Sequence, residues 1–182
     1  MNSFLIKTTK RAIENFVKTG KKIPIPKDCP EEYRKKMGVF VTIYKKNPKR
    51  LRGCIGFPHP QLPLIEALIE AAINSCKDPR FPPLSEYELE EITIEISVLT
   101  EPELIEVKNP KEYLEKVEIG RDGLIIRNGF YSGLLLPQVA VEHKWNAEEF
   151  LKHLCLKAGL TIDSWLDSNS RIYRFQAKII HE

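Results

Sequence analysis

The stretch Glu91-Ile92-Thr93-Ile94-Glu95-Ile96-Ser97-Val98-Leu99 alternates without a break, with Ile92, Ile94, Ile96 and Val98 on one side and Thr93, Glu95 and Ser97 on the other. A side-chain period of two with one apolar and one polar face is the pattern of a half-buried antiparallel strand. Its apolar face needs a covering layer, and helical patterns upstream supply one. Leu64, Ile65, Leu68, Ile69, Ala72 and Cys76 recur at helical spacing after Pro63, which is placed to start a helix. Phe4, Leu5, Ile13, Phe16 and Val17 form a second stripe that ends at Gly20, where a left-handed cap costs little. Between them, residues 21–30 read as a Lys- and Pro-rich loop, residues 31–36 as a helical turn, and Gly38 to Tyr44 as a β-branched and aromatic strand.

Downstream, Asn109-Pro110 with Glu112 has the chemistry of a capped short helix. Asn128-Gly129 predicts a two-residue hairpin turn between strands at Leu124 to Arg127 and Phe130 to Leu136, and Pro137 then breaks the ladder. Asn146 with Glu149 caps a helix whose stripe is Phe150, Leu151, Leu154, Cys155 and Ala158, ending at Gly159. Residues 171–180 alternate again, with Tyr173, Phe175, Ala177 and Ile179 expected on one face of a single strand. A hairpin and amphipathic strands interspersed with helices favour antiparallel pairing, hence α+β.

The 182 residues allow one domain or two small subdomains sharing a core. The joints are expected in the Pro and Gly clusters near residues 21–30, 57–63 and 100–110. With 42% hydrophobic and 29% charged residues the composition is that of a soluble globular chain. No apolar run approaches the roughly 18 residues of a membrane span, and residues 1–20 lack a signal-peptide pattern, so a cytoplasmic protein is expected. Cys29, Cys54, Cys76 and Cys155 lack the close spacing of a disulfide framework or zinc knuckle, which predicts free thiols and no metal site. Few Gln beside plentiful Lys, Glu and Ile lean towards a protein that works hot.

The net charge of +3 hides a gradient: residues 1–60 carry 15 basic and 4 acidic side chains, residues 61–120 carry 5 and 14, and residues 121–182 carry 8 and 7. The basic excess leads into Leu51-Arg52-Gly53-Cys54-Ile55-Gly56, one thiol between two glycines. Nearby cations stabilise a thiolate, which makes Cys54 a candidate nucleophile or redox group. The alternative is a packed cysteine in a turn that needs glycine geometry. A nucleophile needs a base, and His143 beside Glu142 is the candidate pair, the alternative being that His143 is an exposed linker histidine. His153 reads as a solvated residue on a polar helix face, His181 as a frayed terminus and His59 as a loop residue between prolines. In Asp78-Pro79-Arg80-Phe81-Pro82-Pro83-Leu84 three prolines stiffen the backbone and hold Asp78 and Arg80 in place. Arg80 then suits a carboxylate or phosphate, or it forms a surface ion pair with Asp78. No phosphate-cradling glycine loop and no Gly-x-Ser-x-Gly elbow occurs, so nucleotide-hydrolase and serine-hydrolase readings lose their support.

Four motifs in order, LRGCIG at residues 51–56, DPRFPPL at 78–84, ISVLTEPE at 96–103 and LLLPQVAVEHKW at 134–145, resemble the AMMECR domain family. The family is named for the AMME-syndrome candidate-region protein, and its prokaryotic members form the A component of the AmmeMemoRadiSam system. The resemblance implies one domain over residues 1–182, with antiparallel sheets flanked by helices in a larger and a smaller subdomain that share a cleft near LRGCIG. It brings no settled reaction and no cofactor. It implies Memo-like and radical SAM proteins as partners in a shared pathway. Arg52, Gly53, Cys54 and Gly56 occupy its hallmark motif, Asp78, Arg80 and Phe81 its second, and Pro137, Glu142 and Trp145 another.

Three functions compete. In an enzyme or enzyme component, Cys54, His143 and Glu142 are the catalytic candidates, while Arg52, Gly53, Asp78, Arg80 and Gln138 bind the substrate. In an adaptor, the same cleft binds a small anionic ligand, a peptide or the partner proteins without catalysis. A nucleic-acid binder would use Lys45, Lys46, Lys49, Arg50 and Arg52 beside Phe40 and Tyr44. The acidic middle third argues against that last reading, because it can neutralise the basic third from within the chain.

Overall fold

The alternating stretch forms β3 (Ile92–Leu99) in a four-stranded sheet with β1 (Val39–Lys45), β2 (Arg50–Phe57) and β8 (Ala177–His181), in the order β2-β1-β3-β8. The structure is a computed structural model that describes residues 2–182. β1 pairs antiparallel with both β2 and β3, which leaves β2 at the sheet edge. Ile92, Ile94 and Ile96 of β3 are buried as their spacing predicts. The helical layer over this sheet is α2 (Leu64–Ser75), which packs on β1 and β2, and α1 (Asn2–Thr19), which packs on α2 and on β3. α2 is buried nearly all round because its sequence is apolar nearly all round, from Leu64 and Ile65 to Ala71, Ala72 and Ile73. α1 stops at Gly20, whose φ of +70° and N–H bond to the Phe16 carbonyl are those of a left-handed cap.

The chain forms two compact units, one of residues up to Leu99 with Lys178–Glu182 and one of Thr100–Ala177. Residues 21–30 and 57–63, expected as joints, lie inside the first unit, the second stretch starting at the last residue of β2. The second unit holds an antiparallel sheet of order β4-β7-β5-β6, made of β4 (Glu103–Leu104), β5 (Gly123–Asn128), β6 (Tyr131–Leu135) and β7 (Arg171–Phe175). Its core joins Leu124, Ile126 and Ile172 to Phe150, Leu151 and Leu154 of α5 (Ala147–Lys157), with α3 (Tyr113–Lys116) and α4 (Pro137–Glu142) beside them. The expected capping boxes are present: Asn109 with Glu112, and Asn146 with Glu149 ahead of α5.

Three expectations are corrected. LRGCIG lies within β2 rather than in a turn, and neither Gly53 nor Gly56 has a positive φ. The hairpin turn sits one residue later than expected: Asn128 pairs with Tyr131, so Gly129 and Phe130 are the central residues. Gly129 has a φ of +57° and Phe130 no positive φ, the pattern of a type II′ turn with Gly first. Residues 171–180 form two strands in different sheets rather than one. The break is at Gln176, whose N–H donates to Thr100 Oγ1 and whose carbonyl accepts the Thr100 N–H. The side-chain phase therefore shifts, and Ile180 is buried while Ile179 faces solvent.

Candidate functional site

β2 runs beside the C-terminal end of α2, and the approach is closer than a side chain permits. A Cβ on Gly53 would stand 2.2 Å from the Ser75 carbonyl oxygen, and one on Gly56 would stand 2.4 Å from the Val39 carbonyl oxygen. The glycines on either side of Cys54 thus answer to packing rather than to a turn.

Between them, Cys54 is fixed by its backbone. Its N–H donates to Asp78 Oδ2 at 2.9 Å, and its carbonyl accepts from Arg80 Nη2 at 3.3 Å. The next N–H, of Ile55, donates to Ser75 Oγ at 3.0 Å. Asp78 is buried and also accepts from the Arg80 N–H, Nε and Nη2 at 3.0, 3.0 and 2.7 Å. The Arg80 guanidinium holds the Asp78 carboxyl well below the usual carboxylate range against the opposing effect of burial, and the N–H groups of Cys54 and Arg80 add to it. The Arg80 side chain nevertheless remains 56% exposed. Asp78 and Arg80, in the loop stiffened by prolines 79, 82 and 83, together grip the strand that carries Cys54.

The Cys54 thiol is half-buried, and Thr42 Oγ1 donates to its Sγ at 3.2 Å. Thr42 stands opposite Cys54 in the β1–β2 register. The other three cysteines are buried, and burial pushes the Cys76 thiol up to about 12.

Arg52 is placed differently from the expectation. It is buried, and its Nε and Nη2 make a fork on Glu88 at 2.7 and 2.9 Å, which raises the Arg52 pKa. The same contact, with Ser85 and Lys45 assisting, holds the Glu88 carboxyl well below its ordinary range despite burial. Lys45 Nζ stands 3.2 Å from Glu88, Lys46 Nζ donates to the Glu90 carbonyl, and Lys49 lies over the Tyr44 ring. Lys45, Lys46 and Arg52 of the basic third are thus occupied by groups of the acidic middle third, as Lys22 is by Glu70. Thr42, Ser75 and Glu88 were not singled out in the sequence. Ser85-x-x-Glu88 carries a capping-box signature, and the box forms, so Glu88 alone among them had a local signal.

His143, Glu142 and Gln138 belong to the second unit. Gln138 and Glu142 lie on α4, and Glu142 is exposed. His143 stacks on Trp145 at 4.5 Å between ring centroids, and Trp145 stacks on His153 at 3.8 Å. His153, expected to be merely solvated, is therefore one layer of an imidazole–indole–imidazole stack. Among the described residues no group of three or more His, Cys, Asp or Glu could hold a metal ion, and no helix is long and apolar enough to cross a membrane.

A family model described as AMMECR1 matches residues 6–180. The chain is 56% identical to Protein MJ0810 of Methanocaldococcus jannaschii, covering 99% of this chain and 89% of that protein. It is 54% identical to Protein PYRAB00100 of Pyrococcus abyssi, covering 98% and 89%. The crystal structure of uncharacterized protein PH0010 from Pyrococcus horikoshii superposes with a TM-score of 0.85 at 54% identity, covering 97% of this chain and 88% of that one. The relatives come from thermophiles, in keeping with the Lys, Glu and Ile bias.

Proposed function

The chain belongs to the AMMECR1 family, and from that footing we propose that it is a recognition protein rather than a thiol catalyst. In this reading the first unit offers Cys54 and the open side of Arg80 as a contact site for a small anionic ligand or a peptide. The partners to test first are the Memo-like and radical SAM proteins that the resemblance implies.

One observation carries the choice. The hydrogen-bond partner of the Cys54 thiol among the described residues is the Thr42 hydroxyl, a donor with no basic character, while the nearby carboxylate of Asp78 is spent on backbone N–H groups and Arg80. General-base activation needs an imidazole or carboxylate within hydrogen-bond reach of the nucleophile. A rigid strand edge with a half-exposed guanidinium needs no such group to bind. The pairing of Lys45 and Arg52 with Glu88 likewise supports a protein partner over nucleic acid.

A titration calorimetry series against a purified Memo-like protein and a purified radical SAM partner tests the reading. Wild type and Cys54→Ser should bind alike, and Arg80→Gln, with its fold checked by thermal unfolding, should bind at least about tenfold more weakly. Binding lost in Cys54→Ser but kept in Arg80→Gln would favour the thiol chemistry. Absence of binding to both partners would end the recognition reading for them.

A further inference from the structure

We propose that the second unit carries a binding site for a phosphate-class oxyanion, built on Arg127 of β5 and Arg171 of β7. The two residues are direct partners in the antiparallel β5–β7 register, so their side chains leave the same face of the sheet from neighbouring positions. Both are exposed, and neither makes an ion pair or a side-chain hydrogen bond among the described residues. That sets them apart from their neighbours in the same unit, since Arg174 pairs with Glu103 and Arg121 with Glu118 and Asp122. Like charges placed directly opposite each other destabilise a sheet. An oxyanion held between them converts that repulsion into charge-assisted hydrogen bonds, and the planar guanidinium fork suits phosphate geometry.

The surroundings complete a site. Arg127 lies over the Tyr173 ring at 5.1 Å from its centroid, which fixes one guanidinium on the sheet face. Ser132 is the β6 partner of Arg127 and is exposed, so its hydroxyl extends the row of donors. The next row on this face is apolar: Leu104, Tyr173, Ile125 and Leu134 are register partners across the four strands. Leu104 is 43% exposed, and with Arg171 it lines a cavity of ≈ 680 Å³, within the range of small-ligand sites. Two of the carboxylates on that cavity are engaged, Glu112 by Lys116 and the Asn109 cap, and Asp167 by the amides of Asn128 and Asn169. Glu106 is a third, and it sets a limit on how far negative charge extends along the cavity. A ligand with one phosphate group and an apolar carrier matches this arrangement: phosphate on the arginine row, carrier on Leu104, the member of the apolar row that lines the cavity.

The test uses the full chain with inorganic phosphate and phenyl phosphate, titrated at constant ionic strength set by chloride. Both should raise the unfolding temperature of wild type above the chloride control. Arg127→Gln and Arg171→Gln should each weaken phosphate binding at least about tenfold, whereas Arg174→Gln should not. Without phosphate, each of the first two variants should unfold at or above the wild-type temperature, because the repulsion is gone. Tighter binding of phenyl phosphate assigns the site to a phosphomonoester, and equal binding assigns it to free phosphate. No stabilisation beyond chloride, or stabilisation that survives in both arginine variants, overturns the proposal.

Discussion

Asp78 accepts the backbone N–H of Cys54 at 2.9 Å, so a buried carboxylate from the loop after α2 holds the edge strand on which the thiol sits. The DPRF and LRGC motifs are in this sense a single structural device. The carboxylate organises the strand, and Arg80 shields the carboxylate while keeping one face to solvent.

Replacing Asp78 with Asn should cost about 2–3 kcal/mol, the scale of losing hydrogen bonds to a buried charged acceptor. Guanidinium-induced unfolding measures it. A loss within the range of ordinary surface substitutions, about 0.5 kcal/mol, would mean that Asp78 does not organise β2.

Acid should weaken the fold through Asp78 and Glu88. Both carboxyls lie below their unfolded values in the native state, so between the two values the unfolded chain binds more protons and stability rises with pH. Their contribution is complete above the unfolded range near about pH 4 and is lost as pH falls through the folded values. Asp78→Asn and Glu88→Gln should each flatten the acid limb of the stability profile. An unchanged limb in the double variant would contradict the assignment.

Cys54 should be the thiol that reacts in the native state. Native-state alkylation followed by peptide mass mapping should label it first. Cys29, Cys76 and Cys155 are buried, and Cys76 stays protonated at pH 8 because its pKa is pushed up to about 12. Equal labelling of any buried cysteine at early times would refute the burial pattern.

Gly53→Ala should destabilise by about 1–3 kcal/mol through overpacking, because the new Cβ meets the backbone carbonyl of Ser75 rather than a mobile side chain. Gly20→Ala meets no atom within 4 Å, and its cost should be confined to the strain of a φ of +70°. Denaturant midpoints of the two variants rank the effects, and a milder loss at Gly53 than at Gly20 would reverse the packing argument.

Local chemistry made much of this fold legible. The α1 stripe ending at Gly20 and the Asn109 and Asn146 caps act over a few residues, and each appears as read; the period-two stretch 92–98 forms its strand, but Ser97 on its polar side is buried as well. The misreadings have non-local causes. β2 hid because Gly53 and Gly56 look like turn residues, whereas a helix end and a neighbouring strand demand them. The 171–180 alternation ran through a break made by Thr100, far away in sequence.

The sequence by itself determined the family, the α+β class and the motifs that carry Arg52, Cys54, Asp78 and Arg80, since periodicity, capping chemistry and motif order are properties of the chain; it did not single out Thr42, Ser75 or Glu88 beside them. Tertiary structure alone decided how the charges are used. It gave Arg52 to Glu88 and Asp78 to the Cys54 N–H, and it left Arg127 facing Arg171. The reason is physical: which charges meet is set by strand register and loop path, and these are fixed by burying apolar faces that the charged residues themselves do not share.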